Sequence, residues 1–412
     1  MSLNLETKPV FVEETLPEDS IHGRIYRHAL RLERQSAHDM WVEGTSKRNQ
    51  LLGSLDDPFN HQIIIFQRNP EKIQDVTNSL FQSPLLSKLS SLPIVRVNHS
   101  LEFDNHEPKN ESIGLESGVK SIYGIASIVD ERDLFSIIAT ADRCKDELGV
   151  ECFTLVVSFL AGARQDKNVN KEGKYEHQAI NNKAMLKMLS TVVDRMIVVE
   201  PHSSATQAFA AERGMPLLPL SLWKVMADEV KNKGVRICDG SRVKLTVDNT
   251  RIIGPDDGRN HAAGKISDYL CIPRFGYSKI RKTESSVTIN GDHLENEGVI
   301  LKNKIGVGFD DVITGVSTVD EIAEDLQYKK GAEAYIVLAA HLELVGLKWA
   351  QRINNPFISN IFATNSRQPL GDLNPYGKTE WVDLAPWLCD VIEKDMRGDD
   401  PYFIDSRISE VL

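Results

Sequence analysis

Cysteine is scarce and scattered: Cys144, Cys152, Cys238, Cys271 and Cys389 stand singly, with no CxxC pair. An odd, dispersed set points away from a disulfide scaffold or a structural zinc site and toward reduced thiols in a cytoplasmic protein. No apolar run approaches the roughly 20 residues of a transmembrane helix, and the first segment, MSLNLETKPVFVEETLPEDS, is acidic without a signal-peptide core. Basic charge is in deficit. A net charge of −11 argues against a general nucleic-acid or anionic-membrane surface. No GxGxxG follows a first strand and no GxSxG occurs anywhere, which leaves dinucleotide dehydrogenases and α/β-hydrolases without support. The stretch GRNHAAGKI (258–266) mimics a Walker A loop, but it is one residue too long. It also places Ile266 where Ser or Thr must bind magnesium. Low-complexity stretches and short tandem repeats are absent.

A chain of 412 residues is long enough for two domains and a well-buried core. Residues 1–60 read as an N-terminal helical extension, acidic at first and amphipathic from His22 to Leu55, with a packing or assembly role. From His61 onward, short β-like runs alternate with helical ones. IIIF (63–66), LPIVRV (92–97), SIYGIASI (121–128), CFTLVVSFL (152–160) and RMIVVE (195–200) form a first series. TRIIG (250–254), DYLCI (268–272), KIGVGF (304–309), AYIVLAA (334–340), NIFAT (360–364) and TEWVDL (379–384) form a second. Such alternation predicts parallel sheets flanked by helices, here twice over. The proline-marked helical stretch MPLLPLSLWKVMADEVKNKG puts the boundary near residue 213, giving units of 61–212 and 213–412. Both series contain a strand that ends in acids or histidine, with hydroxyls then opening a helix: VVEPHSSATQAF and VGFDDVITGVST. Ligands of α/β sheets bind at such carboxyl ends, and a duplicated unit explains the pair.

Five segments carry candidate chemistry. In KIGVGFDDVITGVST, Asp310 and Asp311 can accept hydrogen bonds from vicinal sugar hydroxyls. Thr314 to Thr318, opening a helix, can hold a phosphate on orphan N–H groups, although the same acids could simply cap that helix. In AGARQDKN, Arg164 can meet a planar base or phosphate oxygens; a solvated loop is the plain alternative. His202 in EPH could be a magnesium or phosphate ligand or a structural histidine. IIGPDDGRNHAAG again aims carboxylates, among them Asp256, at a crevice. FGYSKIRKTESS gathers Lys279, Arg281 and Lys282 in a segment of weak periodicity, compatible with a mobile cationic loop or a solvated face.

In their order along residues 61–400, these segments resemble the ribose-phosphate pyrophosphokinase (phosphoribosyl pyrophosphate synthetase) family. FDNHE (103–107) is similar to the family's adenine loop, ARQDK (163–167) to its Ala-Arg-Gln-Asp-Lys segment, and EPHSSATQAF to its Asp-Leu-His-Ser segment. GPDDG is similar to Ser-Pro-Asp-x-Gly, SKIRK to the Lys-x-Arg flexible loop, and FDDVITGVST to the ribose-5-phosphate loop, while HLELVG and FATNS resemble later segments. The phosphate loop departs from the family pattern: Val316 stands where glycine is usual, restricting φ and the approach of backbone to phosphate. Glu200 replaces an aspartate, and Leu160, Ala161 and Gly162 replace Phe-Pro-Tyr.

The resemblance implies an α/β fold of two tandem type I phosphoribosyltransferase-like domains. It also implies transfer of the β,γ-diphosphate of ATP to the 1-hydroxyl of ribose 5-phosphate. Charge developing on phosphate oxygens must then be met by cations and positioning. By the same resemblance, Lys279 and Arg281 act in the transition state. Phe103, Asn105, Glu107, Arg164, Gln165, Asp166 and His202 bind ATP, with His202 and Asp256 holding Mg²⁺. Asp310, Asp311, Thr314, Gly315, Val316, Ser317 and Thr318 bind the ribose phosphate. A homo-oligomer, dimer or hexamer, is expected. The altered loop leaves open ADP-ribose as acceptor, for NAD synthesis, or a catalytically silent regulatory or assembly subunit. A plain phosphoribosyltransferase would leave the first half's nucleotide-like motifs idle.

Overall fold

The computed structural model describes residues 39–46, 61–67, 94–102, 108–113, 118–166, 179–281, 287–291, 298–346, 348–367, 374 and 376–398. Two sheets dominate. The first has the order β3-β2-β1-β4-β5-β6-β7. Its strands are β1 (His61–Gln67), β2 (Ile94–Glu102), β3 (Pro108–Ile113), β4 (Ser121–Ile128), β5 (Cys152–Leu160), β6 (Arg195–Val199) and β7 (Leu217–Leu220). All pairs are parallel except β2 with β3. The second sheet, in the order β11-β10-β14-β15-β16-β17, is wholly parallel. It comprises β10 (Thr250–Gly254), β11 (Arg274–Gly276), β14 (Ile305–Ile313), β15 (Ala334–Leu342), β16 (Ile358–Thr364) and β17 (Thr379–Val382). Small antiparallel pairs complete the inventory: β8 (Val235–Arg236) with β9 (Arg242–Val243), and β12 (Ser278–Arg281) with β13 (Val287–Asn290).

Why these runs form central strands follows from their burial. Every residue of β4, β5 and β15 is buried, as continuous apolar runs covered on both faces require. Alternation then distributes side chains between layers. Ile63 and Ile65 enter one core while Ile64 and Phe66 enter another on the opposite face. The first of these cores is shared by the two halves. It unites one face of each sheet with the helices α5 (Trp223–Lys233) and α9 (Ala385–Arg397). The other helices are α1 (39–46), α2 (Glu131–Asp146), α3 (Asn181–Leu189), α4 (Ala205–Ala211), α6 (Asp257–Leu270), α7 (Ser317–Glu324), which runs on as a π turn over Asp325–Lys329, and α8 (Trp349–Ile353). Among the described residues, no helix is long and apolar enough to cross a membrane.

Three sequence expectations change. The boundary expected near residue 213 precedes β7, yet β7 pairs with β6, so the first sheet runs on to Leu220. Pro219, which had suggested a helix start, instead sits in this edge strand, where a missing N–H is tolerated. DYLCI is no strand: Asp268, Tyr269 and Leu270 close α6, and Cys271 caps it in the left-handed conformation. The segment of Lys279 and Arg281, expected as a loop, forms β12, whose register with β13 pairs Ile280 with Thr288 and Arg281 with Val287. Short alternation with β-branched partners outweighed the local charge. Lys282 and most of the N-terminal extension lie outside the described residues.

A buried ion pair joins the parts. Arg195, on β6, donates Nη2 to Asp395 Oδ1 of α9 at 2.8 Å, and Nη1 to Oδ2 at 3.2 Å. Tyr123 of β4 donates its hydroxyl to the same carboxylate at 2.6 Å, and Thr45 Oγ1 accepts from Arg195 Nη2 at 2.9 Å. Trp41 of α1 lies 4.0 Å from the guanidinium, stacking the extension onto the pair. Both charged side chains are at most 2% exposed, so losing either one strands a charge in the core. Asp395→Ala is therefore expected to destabilise the protein by about 3–5 kcal/mol in chemical denaturation. A loss below about 1 kcal/mol, typical of exposed pairs, would refute the keystone role.

Candidate active site

Segments at the carboxyl ends of β5, β6, β10, β14 and β15 come into contact between the halves. The second-half loop is built first. Strand β14 carries Asp310 and Asp311 at its end, and Val316 then starts α7 from the left-handed region, with φ of 60°. A β-branched residue rarely adopts this conformation, and Val316 is held in it by burial of its side chain beside Ile313 and Val319. Arg352 of α8 donates Nη1 to the Gly315 carbonyl at 2.6 Å, fixing that peptide's orientation.

From the first half, Arg164 reaches across and donates Nη1 to Thr314 Oγ1 at 3.3 Å. Ser203 donates to the buried Asp166 carboxylate at 2.5 Å, binding the loop after β6 to the loop after β5. Gln165 is exposed beside them. His202 Nδ1 lies 2.6 Å from Asp311 Oδ2, a second crossing between halves. Residues expected in separate subsites thus share one cleft. Lys279 and Arg281 lie on β12, which follows β11 of the second sheet; Phe103, Asn105 and Glu107 lie outside the described residues.

One participant went unnoticed in the sequence. Arg259, in the first turn of α6, donates Nη2 to Asp311 Oδ2 at 2.6 Å and to the His202 carbonyl at 3.0 Å. Its Nη1 is 3.6 Å from Glu200 Oε1 and its Nε 4.0 Å from Asp310 Oδ1. A cation in the first turn opposes the helix dipole, so an arginine directly after PDDG must be held by acids elsewhere. That was the signal available. Glu200 adopts φ of 40°, and its carboxylate accepts from Leu222 N–H at 2.6 Å and Ser221 Oγ at 3.0 Å. His341, at the end of β15, was visible only within HLELVG. Its Nε2 lies 3.2 Å from the Glu200 carbonyl and its Nδ1 2.7 Å from Ser366 Oγ.

Electrostatics divides the acids. Burial, with the Asp311 charge beside it, pushes Asp310 well above the usual carboxylate range. Asp311 is the more deeply buried of the two, but Arg259 and His202 overcome that penalty and hold it far below that range. Burial raises Glu200 against the pull of Arg259. The pair titrates as a unit, with the charge resting on Asp311.

The two expected magnesium ligands each have a protein partner. Asp256 Oδ1 accepts from the Arg259 backbone N–H at 3.0 Å as the N-cap of α6, the plain role for that acid. His202 Nδ1 is committed to Asp311, and Arg259 puts a positive charge against the acid pair. Among the described residues, no group of three or more His, Cys, Asp or Glu side chains is arranged to hold a metal ion. Mg²⁺ usually keeps several waters and is bound through one or two carboxylates together with substrate phosphates rather than in an all-protein cage.

Two parallel α/β units, joined so that their strand-end acid and hydroxyl loops face one another, define a tandem phosphoribosyltransferase-like protein. No protein-family model matches the chain. The chain is 29% identical over 229 residues to the ribose-phosphate pyrophosphokinase of Pyrococcus furiosus, covering 55% of this chain and 72% of that one. Its fold matches the crystal structure of phosphoribosylpyrophosphate synthetase from Mycobacterium smegmatis with a TM-score of 0.63 at 19% identity, over 81% of this chain and 98% of the other. In sequence and in fold it is similar to ribose-phosphate pyrophosphokinases, with which it shares a tandem phosphoribosyltransferase-like architecture.

His341 offers a test of the crevice's packing. Burial lowers its pKa from 6.5 to about 4, so the folded state holds it neutral. A depressed folded value means that its contribution is present above pH 6.5 and is lost as pH falls toward 4. The stability difference between wild type and His341→Asn should therefore shrink by about 3 kcal/mol across that window. Denaturation curves at several pH values measure it, and a constant difference would contradict the buried neutral imidazole.

Proposed function

We propose that the protein transfers the β,γ-diphosphate of ATP to the anomeric 1-hydroxyl of a ribose 5-phosphate moiety, releasing AMP. The observation that carries this reading is the contact of Arg164 with Thr314. It sets the nucleotide-like loop of the first half against the phosphate loop of the second. A donor triphosphate and an acceptor sugar phosphate would meet along that line, in the near-attack arrangement that group transfer demands. Asp310 and Asp311 stand at the same strand end to accept ribose hydroxyls, and Thr314 to Thr318 open α7 toward the 5-phosphate. Phe103, Asn105, Glu107, Arg164, Gln165 and Asp166 are assigned to the nucleotide. Lys279 and Arg281, on the β12–β13 hairpin, are assigned to the charge that develops on the transferred phosphates. The donor is taken to be Mg–ATP, with the ion carried on its phosphate oxygens, because His202 and Asp256 are engaged with protein partners.

A second acceptor is favoured by one feature. Val316 fills the phosphate loop with a buried side chain, where closer backbone approach would need glycine. A 5-phosphate already esterified, as in ADP-ribose, carries less charge and demands fewer loop donors.

AMP release from Mg–ATP, followed with ribose 5-phosphate and with ADP-ribose, separates the readings. Release with ribose 5-phosphate is expected, and release with ADP-ribose alone would transfer the assignment to that acceptor. Absence of AMP with both would overturn catalysis in favour of a regulatory or assembly subunit. In the active pairing, Lys279→Ala should cut turnover roughly 10²-fold or more while leaving ATP affinity nearly intact; near-normal turnover of the folded variant would remove Lys279 from the transition state.

A further inference from the structure

We infer that Tyr277 and Asp325 form a positioning pair that docks the β12–β13 hairpin onto the end of α7, holding the cationic hairpin and the phosphate loop in one frame. The docking stands on the structure alone; its catalytic consequence rests on the roles proposed above for Lys279 and Arg281.

The pivot is a single residue, Tyr277, which stands between the end of β11 and the start of β12. Its backbone is tied to neighbouring elements on one side: its N–H donates to the Gly254 carbonyl of β10 at 2.8 Å, and its carbonyl accepts from Asn260 Nδ2 of α6 at 3.3 Å. Its side chain reaches another element, where the hydroxyl donates to Asp325 Oδ2 at 2.7 Å. Tyr277 is fully buried and Asp325 is 8% exposed, so water does not compete for this bond, and losing one partner leaves the other buried and unsatisfied.

Asp325 is presented by an uncommon backbone. It opens the π turn that continues α7, and its carbonyl accepts from Lys330 N–H at 3.1 Å. Single π turns are rare and occur frequently at functional sites. The other carboxylate oxygen meets Lys329 Nζ at 2.8 Å, but that lysine is 74% exposed and the pair adds little. Packing supports the same docking. Phe275 and Tyr277 meet edge to face at 5.2 Å, and β13 packs against α7. A Cβ on Gly291, directly after β13, would lie 2.9 Å from the Phe275 ring and 3.0 Å from the Tyr277 ring, so the approach requires glycine. The core that holds Phe275 and Tyr277 also holds Val316, Val319, Ile322 and Leu326. One helix therefore carries the phosphate loop at its start and the anchor of the hairpin at its end.

Lys279 follows the pivot by two residues and Arg281 by four. A rotation at Tyr277 moves β12 as a whole, and misplacement by about 1 Å is enough to cost roughly 10²-fold in rate. Tyr277 and Asp325 are buried, so they act through the hairpin rather than on substrate.

The test uses the full chain. Without substrate, hydrogen exchange of the β12 and β13 amides is compared with that of β14 and β15. Tyr277→Phe, which keeps the ring and removes the hydroxyl, should speed hairpin exchange about tenfold and leave β14 and β15 unchanged. With Mg–ATP and the acceptor that supports AMP release, it should lose about tenfold in kcat while both KM values stay within about twofold. Asp325→Ala should reproduce both effects, and the double variant should be no worse than either single one. Asp325→Asn, which keeps an acceptor for the hydroxyl, should stay within about twofold of wild type in both readouts. Unchanged hairpin exchange in Tyr277→Phe would overturn the inference. So would faster exchange that extends equally to β14 and β15, or a normal kcat in a variant whose hairpin has loosened. Should Tyr277→Phe fail to fold, Asp325→Ala against Asp325→Asn decides on the same terms. Absence of AMP release by wild type with either acceptor would defeat the proposed reaction by itself, and the exchange measurement would still support or overturn the docking.

Discussion

The buried pair of Arg195 and Asp395 is the constraint on which the rest depends. A parallel sheet presents its ligand-binding end at the carboxyl ends of its strands, and two such sheets form a common crevice only if their relative orientation is fixed. Apolar packing across the shared core supplies attraction but little direction. The bidentate pair supplies direction: it links β6 of the first sheet to α9 from the end of the second unit. Tyr123 and Thr45 add hydrogen bonds to the pair, and Trp41 stacks on the guanidinium, while Arg195 Nε is buried without a partner. Desolvation of the pair is expensive, so its value lies in specifying one docking of the halves as much as in stability.

The crevice repeats that logic nearer to solvent. Arg259 contacts acids from both halves, and His202 and His341 each cross from one half to the other. Contacts of this kind hold the strand-end loops of the two halves at a fixed separation. The backbone is held in unusual conformations at two places here: Glu200, which opens the loop after β6, and Val316, which closes the loop after β14, are both non-glycine residues at positive φ. Such positions persist where surrounding contacts over-determine them, and here Leu222, Ser221 and the core around α7 do so.

Much of the architecture was legible because buried parallel strands are written as continuous apolar runs, and β4, β5, β14, β15 and β16 are of that kind. The short edge elements were not. β7 contains a proline, β11 has three residues and β12 is half charged, so each depends on its neighbour for its conformation. DYLCI misled for the opposite reason: an apolar helix end and a short strand look alike without tertiary contacts.

Sequence by itself determined the composition of the crevice. The order of ARQDK, EPH, GPDDG and FDDVITGVST places acids, hydroxyls and an arginine at successive strand ends, because local periodicity specifies where strands stop. Tertiary structure alone decided what those groups do to one another. Arg259 and Asp311 are 2.6 Å apart in space but belong to α6 and β14, and Arg195 and Asp395 are separated by 200 residues along the chain. Coulombic and hydrogen-bonding energies depend on distance and burial, which no spacing along the chain encodes. Spacing along the chain gives the acid pair, and the fold sets Arg259 against it.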